Sequence, residues 1–261
     1  EIYTLSLHDA LPILTTPDPD TPVTSPGGDA TTIPPGAPDI GAALRRAASL
    51  LGTSEADLPD DVRIARRGDE QYALTADLVP GRLTVELDDD GSGVFVVTLV
   101  SVETEDGSVI VTAETLLENA ASFLGTLETG LDPAWRIARR GDETFAVTDD
   151  FVVGRFTVEL DDDGTGRFVV TAVVVELPGG AVTVTEESVL ADAADLIGAA
   201  EKDLAESVRI GRRGDETFPL TEDYRVGRFT VELDDDGTGR FVVTTVQVEL
   251  PGGVETVTAQ S

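Results

Sequence analysis

Thr221-Glu222-Asp223-Tyr224-Arg225-Val226-Gly227-Arg228 has two earlier counterparts in the chain, Thr148-Asp149-Asp150-Phe151-Val152-Val153-Gly154-Arg155 and Thr75-Ala76-Asp77-Leu78-Val79-Pro80-Gly81-Arg82. Gly81, Gly154 and Gly227 stand 73 residues apart, so one unit has been written three times. In each copy a Thr and an Asp flank a residue that changes, Ala76, Asp149 or Glu222, and an Arg follows five positions after the Asp. The pattern describes a loop with a fixed frame and a free tip.

Working outward, the strand that follows the loop is clearest in the second copy. Phe156, Val158 and Leu160 alternate with polar neighbours, which predicts a strand with one buried face. Asp161-Asp162-Asp163-Gly164-Thr165-Gly166 is a hairpin signal leading into the β-branched run Phe168 to Leu177, and Pro178-Gly179-Gly180 marks a further turn before Val182-Thr183-Val184. Before the loop, Val62, Trp135 or Val208 leads a strand of Arg-Ile-(Ala/Gly)-Arg-Arg that runs into Gly68, Gly141 or Gly214, which makes Trp135 a core residue rather than a binding aromatic. Each unit opens with a helix. Asp39, Thr112 and Thr185 are suited to N-caps, and Leu44, Ala47, Ala48 and Leu51, or Leu117, Ala120, Ala121 and Leu124, make an apolar stripe. Gly52, Gly125 and Gly198 fall at the helix ends, followed by a connector with Glu55, Glu128 or Glu201 and then Leu58, Leu131 or Leu204. The expected fold is α+β: three tandem small domains, 39–111, 112–184 and 185–261, each with one helix packed on a small, mostly antiparallel sheet and a long exposed loop.

Residues 1–13 resemble the translation of a common short-read sequencing adapter, which places the only histidine, His8, outside the natural protein and leaves the true start and any export signal upstream. Residues 14–38, rich in Thr, Pro, Asp and Gly, predict a disordered linker of the kind that joins a domain to a surface, and with it a secreted or cell-surface setting. The chain has 50 acidic against 18 basic residues, a net charge of −32, which opposes nucleic acid and anionic membranes, and no stretch predicts membrane insertion. With no cysteine and a single lysine, Lys202, the usual nucleophile and base arrangements are missing, so an enzyme is not expected; no cofactor and no catalytic residue is assigned. Oligomeric state is not readable from the sequence.

Residues 136–171 and 209–244 differ at six positions, and five of them lie in the loop: Ala146/Pro219, Val147/Leu220, Asp149/Glu222, Phe151/Tyr224 and Val152/Arg225. Duplication followed by drift accounts for changes as such, but drift alone does not spare the Thr and Asp on either side of the changing residue.

The loop and its strands resemble the potato type I inhibitors of serine proteases, and more closely the bacterial and fungal elastase-inhibitor-like proteins related to them. The resemblance rests on Arg212-Arg213-Gly214-Asp215-Glu216, on Leu220-Thr221-Glu222-Asp223-Tyr224-Arg225 with the downstream Arg228-Phe229, on Val231-Glu232-Leu233, and on the Gly52, Glu55, Leu58 connector. It implies that Ala76, Asp149 and Glu222, framed by Thr75 and Asp77, Thr148 and Asp150, and Thr221 and Asp223, enter a serine protease's specificity pocket. It also implies that Arg82, Arg155 and Arg228 hold the loop by reaching the framing Asp and the loop Thr, with Arg225 as a second support in the third copy. Asp149 and Glu222 depart from the apolar residues often found at that position in the family, and point to a glutamyl-specific or subtilisin-like protease as partner.

Three rival readings stand beside it. Arg67-Gly68-Asp69, Arg140-Gly141-Asp142 and Arg213-Gly214-Asp215 spell an adhesion tripeptide that a turn between charged residues also explains. Glu159, Asp161 and Asp163 resemble the opening of a calcium loop, but Val170 stands where a bidentate Glu should close it, so a solvated hairpin turn is expected and no metal site is assigned. The alternative to inhibition is a non-catalytic, non-inhibitory surface repeat that spaces or anchors a larger protein.

Overall fold

A computed structural model of the chain describes residues 39–132 and 135–259. The adapter-like and linker stretches, 1–13 and 14–38, lie outside the described residues.

The expected N-caps form at the start of each helix. Asp39 accepts a hydrogen bond from the Ala42 amide at 2.9 Å, Thr112 from Thr115 at 3.1 Å and Thr185 from Ser188 at 3.2 Å, and they open α1 (Ile40–Leu50), α2 (Ala113–Ser122) and α3 (Glu186–Asp195). Gly52, Gly125 and Gly198 take positive φ beyond each helix. Each donates to a carbonyl near the start of a long strand, Val97, Val170 or Val243, at 2.8 Å, which ties the helix end to the sheet. The apolar stripe is as expected in α1. In α2, Leu116 rather than Leu117 is the leucine turned fully inward, and Val189 takes the same place in α3. The inward face begins one residue earlier there, beside the threonine cap.

Among the described residues there are three five-stranded mixed sheets. The first is built from β1 (Arg63–Arg67), β2 (Glu70–Gln71), β3 (Leu83–Asp89), β4 (Phe95–Thr104) and β5 (Gly107–Val111), in the order β2-β1-β3-β4-β5. β6 (Arg136–Arg140), β7 (Glu143–Thr144), β8 (Phe156–Asp162), β9 (Phe168–Leu177) and β10 (Gly180–Thr185) repeat it, as do β11 (Arg209–Arg213), β12 (Glu216–Thr217), β13 (Phe229–Asp235), β14 (Phe241–Leu250) and β15 (Gly253–Thr258). The chain divides into two compact units at residues 115/116; the first sheet lies in one, the second and third sheets in the other.

One pairing in each sheet decides the geometry of the loop. β1 and β3 are parallel neighbours, as are β6 with β8 and β11 with β13, while the other pairings are antiparallel. Parallel neighbours need a return path of about a dozen residues, usually helical. Here the path is residues 72–82, 145–155 or 218–228, a stretch without regular structure. The chain must travel the length of a strand in that span, so it runs extended.

The core is the inward face of the two long strands with the helix stripe: Val85, Leu87, Val97, Val100 and Val102 in the first sheet, and their counterparts elsewhere, are buried, as is Leu83, whose counterparts Phe156 and Phe229 are half-buried. α1 lies against β4 and β5, and α3 against β14 and β15. Trp135 is half-buried between Phe123 and Phe156, with centroids at 4.2 and 5.0 Å, so it packs rather than presenting a face to a ligand. Leu160→Ala opens a cavity at a fully buried site and should lower the unfolding free energy by about 2–5 kcal/mol in a urea melt, whereas Val182→Ala, on an exposed strand face, should leave it nearly unchanged.

Candidate functional site

The three loops are exposed along their tips, and Ala76, Asp149 and Glu222 all face solvent. The residues on either side are held from within. Arg82 donates from Nη1 to Asp77 Oδ2 at 2.9 Å and from Nη2 to the Asp77 carbonyl. Arg155 binds Asp150 at 2.7 Å and Arg228 binds Asp223 at 2.6 Å in the same bidentate manner, one bond to the carboxylate and one to the backbone.

The expected reach of these arginines to the loop threonine is not what the structure has. Thr75, Thr148 and Thr221 are met instead by arginines of the preceding strands, Arg63, Arg136 and Arg209, at 3.3, 3.0 and 3.2 Å. The parallel pairing sets this up: Arg63, Arg136 and Arg209 open their strands opposite Thr84, Thr157 and Thr230 and reach the loop threonine from there, while Arg82, Arg155 and Arg228 are taken up by the Asp carboxylate and carbonyl.

A third group joins the halves, and sequence reasoning missed it. Glu103, near the end of β4, accepts from Arg82 at 2.9 and 2.8 Å, from Arg63, and from the Val79 amide at 2.8 Å. Glu176 receives Arg155, Arg136 and the Val152 amide, and Glu249 receives Arg228, Arg209 and the Arg225 amide. These carboxylate side chains are only 12, 10 and 12% exposed. Burial at that level costs several kcal/mol for an unpaired charge, and the arginine pair and the amide offset it. Their backbone is used as well: Gly81, Gly154 and Gly227 donate to the carbonyl of the same glutamate at 2.7, 2.7 and 2.8 Å. A signal was present, because the glutamate recurs 21 residues after the supporting arginine in every copy.

Two arginines, one glutamate and one aspartate balance to zero charge in the first two copies. The third adds Arg225, which donates to Asp223 at 3.1 Å, and the side-chain Nε of Arg209 is left buried without a partner. Burial, and then the neighbouring Arg228, push the Arg209 guanidinium below its ordinary value. Tyr224, where the other copies have Leu78 and Phe151, also donates its hydroxyl to the Leu250 carbonyl. The third loop carries more restraints than the others.

The rival motifs resolve into structural contacts. Arg67, Arg140 and Arg213 pair with Glu55, Glu128 and Glu201 at 2.9, 3.0 and 2.9 Å and lie over the rings of Phe95, Phe168 and Phe241 at 3.6 to 3.7 Å, so the tripeptide arginine is engaged rather than presented. In the acidic turns Asp89, Asp162 and Asp235 accept backbone amides two and four residues ahead, which closes the hairpin. Among the described residues no group of three or more acidic or histidine side chains is placed to hold a metal ion, and no helix is long and apolar enough to cross a membrane.

Comparison of the chain with family models, with curated proteins and with solved structures gave no match.

The Thr148 hydroxyl first, and Arg155 second, hold the Asp150 carboxyl down to about 2. A carboxylate depressed in the folded state contributes its restraint fully above the unfolded value of about 4 and loses it as pH falls through 2. An NMR pH titration of the Asp150 carboxyl should therefore have its midpoint near 2. Thr148→Val and Arg155→Gln should each move it up toward about 3.9, the threonine change by more.

Proposed function

We propose that the chain is a three-headed serine-protease-inhibitor-like protein, non-catalytic and acting at a cell surface or in secretion, that presents substrate-like loops around Ala76, Asp149 and Glu222. In this reading each sheet with its helix is one domain, and each domain carries one head. The observation that supports it is the division of labour at the loop: the changing residue is exposed, while its two neighbours, also at the surface, are hydrogen-bonded by arginines that share one largely buried carboxylate. A segment already held extended loses little conformational entropy when a protease docks on it, which is the physical requirement for tight binding rather than turnover. Since no disulfide exists to hold the loop, the charge-assisted hydrogen bonds take that part.

The acids at Asp149 and Glu222 select a basic or glutamate-accepting pocket, and Ala76 a small one. A subtilisin-like or glutamyl-specific enzyme is the partner class. The same acidic tips also suit a solvated spacer repeat, so the test separates inhibition from mere exposure.

The full chain is titrated against glutamyl-specific, subtilisin-like and chymotrypsin-like serine proteases. Stoichiometric inhibition of the glutamyl-specific enzyme is expected. Glu222→Leu should move the third head to an enzyme with an apolar pocket. Arg228→Ala should weaken that head by a hundredfold or more, since it leaves Glu249 and Asp223 short of their shared cation. Rapid cleavage after residue 222 by every enzyme, with no inhibition by any form, gives the spacer reading instead.

A further inference from the structure

In the second compact unit, Gly227 and Gly125 are both close against another element. Gly227 has φ +85°, and a Cβ there would lie 2.6 Å from the Ala121 Cβ of α2. Gly125 has φ +76°, and a Cβ there would lie 2.6 Å from Cβ and 2.9 Å from Cγ of Pro251. Neither neighbour is the far end of a flexible chain, so neither can yield. The two contacts are reciprocal: α2 offers a methyl to a glycine of the third repeat, and the third repeat offers a proline ring to a glycine beyond α2.

Both contacts fall on the segments that anchor the third loop. Gly227 precedes Arg228 and donates to the Glu249 carbonyl at 2.8 Å, and Pro251 follows Leu250, whose carbonyl receives Tyr224. The proline is not demanded by its own turn. The hairpin between β4 and β5 has Glu105-Asp106-Gly107 at the same place and forms the same antiparallel ladder.

The same chain contains its own control. In α3 the equivalents of Ala121 and Gly125 are Ala194 and Gly198; Ala121 is buried, Ala194 is exposed, and a Cβ on Gly198, at φ +84°, would meet nothing within 4 Å. Asp192 and Asp195 flank that bare copy, where α2 has Asn119 and Ser122.

We infer that the C-terminal end of α2 is a docking surface for the base of the third loop, with Ala121, Gly125 and Pro251 as positioning residues, so that the loop around Glu222 is braced from inside by Glu249 and from outside by the second repeat. The inference rests on the packing and not on the inhibitory reading. The two fail separately, because the readout below is backbone exchange and involves no protease.

Amide hydrogen exchange is measured on the full chain at Arg225 and Gly227, both bonded to Glu249. Gly125→Ala and Gly198→Ala carry the same backbone strain, but only the first meets Pro251. Gly125→Ala and Ala121→Leu should speed exchange at both amides tenfold or more, while Gly198→Ala and Ala194→Leu should change it less than twofold. Pro251→Glu, which copies the residue already tolerated at position 105, loosens the contact without overfilling it and should also give a tenfold increase. Equal behaviour of the glycine pair, or unchanged exchange in Pro251→Glu, overturns the inference.

Discussion

A carboxylate with little access to water sits between two guanidiniums at the end of each sheet, and the exposed half of each repeat depends on it. Glu103, Glu176 and Glu249 are each the common acceptor for an arginine from the strand before the loop, an arginine from the strand after it, and an amide of the loop itself. In a medium of reduced dielectric such a set is stable only when complete, since removing one cation leaves a buried charge uncompensated. The loop is therefore less a flexible connection than a side chain network with backbone running over it. Its internal order is set chiefly by electrostatics, which is consistent with the exposure of Leu78, Phe151 and Tyr224 beside it, and in the third copy packing against α2 adds to it at the base.

The topology explains why such a network is needed. A parallel pairing closed by an irregular return path leaves that path without ladder partners over most of its length. Its two ends continue the sheet: at the start Tyr72, Phe145 and Phe218 donate to Ala65, Ala138 and Gly211 at 2.8 to 2.9 Å, and at the finish Gly81, Gly154 and Gly227 donate to the carbonyl of Glu103, Glu176 and Glu249, whose amides return to Arg82, Arg155 and Arg228. Between the ends, the amide of Val79, Val152 or Arg225 turns to the glutamate carboxylate and the carbonyl of Asp77, Asp150 or Asp223 to the supporting arginine. Because these partners reach the framing Thr and Asp and pass beneath the tip, the tip residue is free to change without touching the scaffold. The substitutions between the second and third copies have that distribution: Asp149 becomes Glu222 and Val152 becomes Arg225, while every member of the network is kept.

Much of this was legible in the sequence. The 73-residue period, the N-caps, the helix-end glycines, the hairpin turns and the long strands follow from local chemistry, and the structure has them where the residues put them. The Arg–Asp pairing was readable because both partners lie five residues apart in one loop. Glu103 was not, since a glutamate between Val102 and Thr104 looks like any outward strand residue, and its partners are 21 and 40 positions away. The assignment of the loop threonine to the wrong arginine has the same origin: strand order is a long-range property, and alternation patterns do not state which neighbour is parallel. The place of Leu116 rather than Leu117 turned on one residue of helix phase, since both are leucines and the alternation alone does not choose between them.

The two-sided hold on the tip bears on what a break there would do. Thr221 is bound by Arg209 and Asp223 by Arg228, and both guanidiniums converge on Glu249. If the peptide bond between Glu222 and Asp223 were opened, neither new terminus would diffuse away. The amine and the carboxyl would remain neighbours within one folded body, at an effective molarity no pair of separate peptides attains. Hydrolysis would lose most of the translational entropy that normally drives it to completion, and the nicked and intact chains would stand in measurable equilibrium.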